Sequence, residues 1–237
     1  MTRELRGMGE TPRRLDGVRC APSLVIFDCD GVLVDSESLQ LRALLDVAGP
    51  LGFTMPLETA IERFRGAKMA DVVRAIEGEV GAPTPTEFVA DVRARQAEVF
   101  ARELRPVEGI HEALARLPWP RCVASSGPLE KIRLSLTLTG LLDAFGDRIF
   151  SSYEIGSWKP EPDLFLHAAA RMGASPRDTV VVEDSVLGVR AGVAAGMRVL
   201  GYAEGTRAVA LAGAGAEVFG AMRDLPALIT GYLDSPI

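Results

Sequence analysis

Short apolar, β-branched runs punctuate this chain at nearly regular intervals. Leu24-Val25-Ile26-Phe27 is the first, and similar runs recur at 121–125, 148–151, 179–184 and 198–202, with a weaker one at 216–219. Between them, apolar residues return at helical spacing over 109–117, 162–172 and 186–195. Runs without polar alternation read as strands buried on both faces, and their alternation with helices predicts βαβ units. The expected fold class is α/β, a Rossmann-like parallel sheet with helices on both sides.

The pattern changes between residues 37 and 104. No strand run occurs there, and helical spacing covers 58–64, 69–80 and 86–104. The last segment sets Phe88, Val92, Val99 and Leu104 among many charges, as an amphipathic surface helix does. Gly81-Ala82-Pro83-Thr84-Pro85 separates the last two. A helical insert after the first strand predicts a small cap domain, 37–104, on a core made of 21–36 and 105–237. Caps of this kind exclude water from a site and contact the substrate. Residues 1–20 carry Arg3, Arg6, Arg13, Arg14 and Arg19 among Glu4, Glu10 and Asp16, without an apolar stretch. They predict a flexible solvated tail rather than a signal or transit peptide.

Composition narrows the partners. The 237 residues are 48% hydrophobic, ample for a core, and a net charge of −6 is spread over 26 basic and 32 acidic side chains. A nucleic-acid partner is not expected, because no basic face is available to meet phosphates. No apolar run approaches the roughly 18 residues of a membrane span, so a membrane partner is not expected either. Cys20, Cys29 and Cys122 are widely spaced and lack a Cys-x-x-Cys pair. They predict reduced thiols and a cytoplasmic protein. No exposed heptad pattern argues for an oligomer, and a monomer is expected.

The candidate chemistry lies where the strands end. The first run stops in Asp28-Cys29-Asp30-Gly31, the second in Ser125-Ser126-Gly127 and the fourth in Glu183-Asp184-Ser185. Parallel sheets bind ligands beyond the carboxyl ends of their strands, so these three polar clusters converge on one rim. Carboxylates held that close raise each other's pKa unless a cation or proton separates them. Oxygen ligands of this type suit a hard cation such as Mg²⁺. A helix N-cap would account for one of Glu183 and Asp184 but not for both. Lys159, in Trp158-Lys159-Pro160-Glu161-Pro162-Asp163, offers a cation just ahead of a helix. His111 and His167 fall within helical patterns and are expected to be structural. Gly213-Ala214-Gly215-Ala216 precedes a strand and lacks a third glycine, so it is not a dinucleotide loop.

In this order, Asp-x-Asp-Gly, the serine, the lysine and the paired acids resemble the haloacid dehalogenase-like superfamily over roughly residues 22–230. The resemblance implies that Asp28 attacks phosphorus to form an aspartyl-phosphate, while Asp30 protonates the leaving alkoxide and then deprotonates water. Ser125, with Ser126 and Gly127, would hold phosphoryl oxygens, and Lys159 would offset their charge. Asp28, Asp30 (through its backbone carbonyl), Glu183 and Asp184 would hold Mg²⁺. Asp30 favours phosphate esters over the superfamily's dehalogenases and phosphonate hydrolases, whose patterns lack that second acid. The β-phosphoglucomutase pattern has a cap histidine twelve residues after the nucleophile and a cap arginine. Here those positions are Gln40 and Met69. Phe64-Arg65-Gly66-Ala67-Lys68 and Trp158-Lys159-Pro160 look like segments of the 6-phosphogluconate phosphatase branch. That likeness implies a small phosphorylated metabolite, a sugar or sugar-acid phosphate, contacted by Glu37, Gly66 and Lys68. A phosphomutase and a non-catalytic phosphate-sugar binding protein stand as the alternatives.

Overall fold

A computed structural model describes residues 21–203 and 205–230; the expected tail at 1–20 and the last residues, 231–237, lie outside the described residues. The elements run β1 (Leu24–Phe27), α1 (Glu37–Ala48), α2 (Leu57–Phe64), α3 (Met69–Val80), α4 (Phe88–Glu103), α5 (Ile110–Arg116), β2 (Arg121–Ser125), α6 (Leu129–Leu138) and α7 (Leu142–Phe145). They continue with β3 (Ile149–Ser151), α8 (Ser152–Ile155), α9 (Asp163–Arg171), β4 (Thr179–Glu183), α10 (Val186–Ala194), β5 (Arg198–Tyr202), α11 (Gly205–Gly213), β6 (Glu217–Phe219) and α12 (Leu225–Thr230). The strands form one sheet in the order β3-β2-β1-β4-β5-β6, and every neighbouring pair is parallel. This is the Rossmann-like α/β fold that the apolar runs predict.

Alternate residues of each central strand feed two separate cores. Val25 and Phe27 of β1, Val123 of β2 and Val180 and Val182 of β4 pack against α5, α6, α7 and α12. Leu24, Ile26, Cys122, Ala124 and Val181 face α9, α10 and α11. Both faces of β1 are therefore covered, and all four of its residues are fully buried. The order reverses around β1, which leaves a crevice at the carboxyl ends of β1, β2 and β4.

A third cluster belongs to the helices between β1 and β2. Leu44, Phe53, Phe64, Ile76, Phe88 and Val92 form its centre. The pattern of residues 58–64 and 69–80 marks α2 and α3 well, but α1 is an element the sequence reading missed. The reason is visible in its burial: Leu39 and Ala43 join the core beneath the sheet, whereas Leu41, Leu44 and Ala48 join the helical cluster. Its apolar residues serve two cores and form no single stripe. α4 is shared in the same way, through Val99 and Phe100 at one end and Phe88 and Val92 at the other. The outgoing and returning chain segments are tied together. The Asp35 N–H donates to the Arg105 carbonyl, and the Val107 N–H to that of Leu33, both at 3.0 Å.

Candidate active site

β1 extends its pairing one residue past its last strand residue. The Asp28 N–H donates to the Val182 carbonyl of β4 at 3.0 Å, which sets the Asp28 carboxylate beside the end of β4. The chain then turns at Gly31 with φ +77°. A Cβ there would lie 2.2 Å from Asp184 Oδ2, so glycine alone lets this turn and the β4 loop approach so closely.

Lys159 closes the floor of the site. Its Nζ donates to Asp28 Oδ1 at 2.8 Å and to Glu183 Oε1 at 2.5 Å, with 5% of the lysine side chain exposed. Burial opposes its charge, yet Asp28 and Glu183 raise its pKa above the ordinary lysine range. Glu183 is fully buried and its second oxygen is also taken: Oε2 accepts from the Asp184 and Ser185 N–H groups, each at 2.8 Å, and from the Ser185 hydroxyl at 3.0 Å. Ser185 in turn caps α10 by accepting from the Gly188 N–H at 3.0 Å. A Cβ on Gly188 would stand 1.8 Å from Glu183 Oε1, so this helix start is shaped around the carboxylate. Glu183 thus anchors the lysine and the helix, and of Asp28, Glu183 and Asp184 the first and last line the crevice.

Burial pushes the Asp28 carboxyl up to about 7; Lys159 works against this, while Glu183 and Asp30 add to it. Asp184 is likewise raised well above the usual carboxylate range, by burial and by Glu183 and Asp28, with Arg207 opposing. Oxygens of Asp28, Glu183 and Asp184 lie within 4.8 Å of one another. Burial and crowding disfavour the ionised forms of Asp28 and Asp184, and a divalent ion with oxygen preference would offset that cost. Asp184 Oδ2 also accepts from Arg207 at 2.9 Å, a partner that the sequence reading missed.

Asp30 stands apart from that trio. Its Oδ1 accepts from the Ser36 hydroxyl at 2.5 Å and the Gln40 amide at 2.8 Å, and its Oδ2 from Lys131 Nζ at 2.7 Å. Burial works against ionisation here, but the Lys131 charge and these hydrogen bonds hold Asp30 below the usual carboxylate range. Its side chain is therefore not a metal ligand in this geometry, which leaves the backbone carbonyl as its route to a cation. Lys131 also donates to Gln40 Oε1 at 2.9 Å. Lys131 went unread in the sequence, although its place one turn into α6, just after the Ser125–Gly127 loop, was a usable signal.

Ser125, Ser126 and Gly127 form the third wall, where the Gly127 N–H donates to Ser125 Oγ at 3.2 Å and the Ser151 hydroxyl fixes the Gly127 carbonyl at 2.6 Å. These residues, with Asp28, Asp30, Lys159 and Asp184, line one cavity of about 360 Å³. Its opposite side comes from the helical segment: Glu37, which ion-pairs with Arg65, then Gly66 and Lys68. Every site residue read from the sequence lines this cavity except Glu183, which lies beneath it. The histidines do not line it. His111 contacts the Thr139 carbonyl and His167 packs edge-on to Phe150.

A deep crevice of acids and one buried lysine at the edge of a parallel sheet defines a hydrolase of the haloacid dehalogenase-like class. The chain belongs to that family, whose profile matches residues 22–196. It is a phosphatase of that family. It is 39% identical over 178 residues to a 6-phosphogluconate phosphatase of Escherichia coli K12, covering 74% of this chain and 80% of that protein. Hexitol phosphatase B of the same organism is 36% identical over 179 residues, covering 73% and 80%. Among solved structures, a haloacid dehalogenase-like protein of unknown function from Agrobacterium tumefaciens C58 superposes with a TM-score of 0.76 at 37% identity, over 88% of this chain and 98% of that one. No helix among the described residues is long and apolar enough to cross a membrane.

Proposed function

We propose that this protein is a Mg²⁺-dependent phosphatase that hydrolyses a small sugar or sugar-acid phosphate through an aspartyl-phosphate on Asp28, with residues 37–104 acting as the cap. The observation that carries this reading is the Asp28 carboxylate. One of its oxygens is held by Lys159, and it sits on the floor of a cavity large enough for a small metabolite, for which about 300–1,000 Å³ is usual. Asp28, Asp184 and the Asp30 carbonyl would hold Mg²⁺, which when bound supplies positive charge to the phosphoryl oxygens.

In the first half-reaction an Asp28 oxygen attacks phosphorus and the bond to the leaving alkoxide breaks. The Ser125 hydroxyl, the Ser126 N–H and the Lys159 ammonium receive the charge on the phosphoryl group. Asp30 protonates the departing oxygen. In the second half it takes a proton from water, which attacks the same phosphorus and frees Asp28. Lys131 and Ser36 favour the ionised form of Asp30 that the second half needs. The first half needs Asp30 protonated, with the leaving oxygen in the place of Lys131, and the proton it gives up there is the one it takes from water in each second half. Gln40 supports hydrolysis over the mutase alternative. Its amide is already bonded to Asp30, Ser36 and Lys131, and it has no proton to exchange at neutral pH.

Inorganic phosphate release with Mg²⁺ tests this reading against a non-catalytic sugar-phosphate binder. Wild-type protein is expected to release phosphate from a sugar or sugar-acid phosphate. Asp28→Asn is expected to lose at least about a thousandfold in kcat, as nucleophile removal does. Equal release by the two proteins would overturn the assignment.

A further inference from the structure

Most carboxylate oxygens of Asp28, Glu183 and Asp184 are already engaged. Asp28 Oδ1 and Glu183 Oε1 accept from Lys159, and Glu183 Oε2 accepts from the Asp184 and Ser185 N–H groups. Asp184 Oδ2 is engaged too, by Arg207 of α11, a residue outside the cavity lining. One guanidinium nitrogen, Nη2, donates to this oxygen at 2.9 Å and to the Asp184 main-chain carbonyl at 3.1 Å. A single nitrogen that bridges the main-chain and side-chain oxygens of one residue holds that carboxylate against rotation. The Gly31 turn crowds the same oxygen: a Cβ there would fall 2.2 Å from Oδ2 but 3.1 Å from Oδ1. Among the described residues, Asp28 Oδ2 and Asp184 Oδ1 accept no hydrogen bond. Each of these two acids therefore offers the crevice one open oxygen.

We infer that Arg207 is a positioning residue for the metal: it keeps Asp184 a one-oxygen ligand, so that the site selects a small octahedral cation over a larger one. This rests on the reading of Asp28, Asp184 and the Asp30 carbonyl as the ligands of Mg²⁺. Mg²⁺ demands octahedral geometry, draws on one or two carboxylates and completes its shell with waters and substrate phosphate. Ca²⁺ takes roughly six to eight oxygens and often grips both oxygens of one carboxylate. Lys159 closes that option at Asp28, and Arg207 closes it at Asp184. The charge of Arg207 gives no such selection, because it repels every divalent cation alike. Its hydrogen bond does. The two clamps also differ in what replacing them disturbs. Lys159 is buried between two acids, whereas 44% of the Arg207 side chain is exposed and it bonds neither Asp28 nor Glu183.

Calorimetric titration of the metal-free protein with MgCl₂ and with CaCl₂ gives both affinities without turnover. The wild type is expected to bind Mg²⁺ the more tightly. In Arg207→Met the ratio of the Ca²⁺ Kd to the Mg²⁺ Kd should fall about tenfold, the lower end of what the partners of metal ligands contribute. Arg207→Lys, whose ammonium can still donate to Oδ2, should keep most of the wild-type ratio. Loss of positive charge alone would tighten both ions by one factor, and loss of local structure would weaken both. Either result leaves the ratio where it was and overturns the inference, as does a wild type that prefers Ca²⁺. A crystal structure of the wild type grown with MgCl₂ tests the same point without a variant. Arg207 should remain on Oδ2, with the ion on the other oxygen of Asp184; an ion bound through Oδ2 overturns the inference. A wild type that binds neither ion would instead end the Mg²⁺ reading itself, and this inference with it.

Discussion

The floor and the rim of this cavity use the same charged side chains under opposite conditions. On the floor, Lys159, Asp28 and Glu183 have at most a tenth of their side chains exposed, and each charge meets its opposite. At the rim, Lys68 and Arg93 are exposed, as is Tyr153 at 43%, and the cations rest on rings. Removal from water makes a buried charge costly unless it is paired, so the floor admits one arrangement. Water screens the rim, which can change its cations without endangering the fold. One cavity thus joins a part held by folding energetics to a part open to change of substrate.

The largest consequence concerns Lys159. In Lys159→Met the buried carboxylates of Asp28 and Glu183 face each other with no cation between them. Breaking a buried pair in this way costs about 3–5 kcal/mol. We expect a loss of that size in urea unfolding, together with loss of phosphate release. Arg93→Met should show no comparable loss of stability. A Lys159→Met protein as stable as the wild type would erase the distinction between floor and rim.

A second consequence is a pH-dependent effect of Mg²⁺. The Asp28 carboxyl is raised from 3.8 to about 7 in the folded protein. The folded state therefore binds a proton that the unfolded state has lost, and stability falls as pH rises through that window. On the proposed Mg²⁺ reading the ion displaces that proton, so its stabilising effect should be small near pH 5 and grow through about pH 7. Melting temperatures with and without Mg²⁺ across that range measure the difference. A Mg²⁺ increment independent of pH would mean that Asp28 is not where the proton and the ion compete.

The same contrast explains what the sequence made legible. The floor is built from strand ends, where an apolar run must stop and a polar residue stands out. Asp28, Ser125, Glu183 and Asp184 are readable for that reason, and so is the sheet itself. Gly31 and Gly188 belong to the patterns at these strand ends, but why they must be glycine shows only in the fold, where a Cβ would collide with Asp184 or Glu183. Lys131 and Arg93 line the cavity from helices and Arg207 reaches Asp184 from another, and a cation on a helix surface looks the same whether it faces water or a ligand. α1 was hidden because its apolar residues divide between two cores. Function concentrated at strand ends is visible to pattern reading, whereas function assembled from helix faces needs the packing.

The smallest expected effect sharpens the comparison, because it separates the number of bonds from their burial. Arg95 on α4 donates to Asp46 at 2.9 and 2.7 Å and to Glu98 at 3.0 Å, more hydrogen bonds than Lys159 makes. All three side chains are at least about a third exposed. Water already solvates them well, and fixing two long side chains in one geometry offsets much of what the contact returns. Arg95→Ala should therefore leave the unfolding midpoint within replicate error. A destabilisation approaching that of Lys159→Met would show that the helical segment depends on its surface ion pairs, and that exposure is the wrong measure by which to divide this molecule.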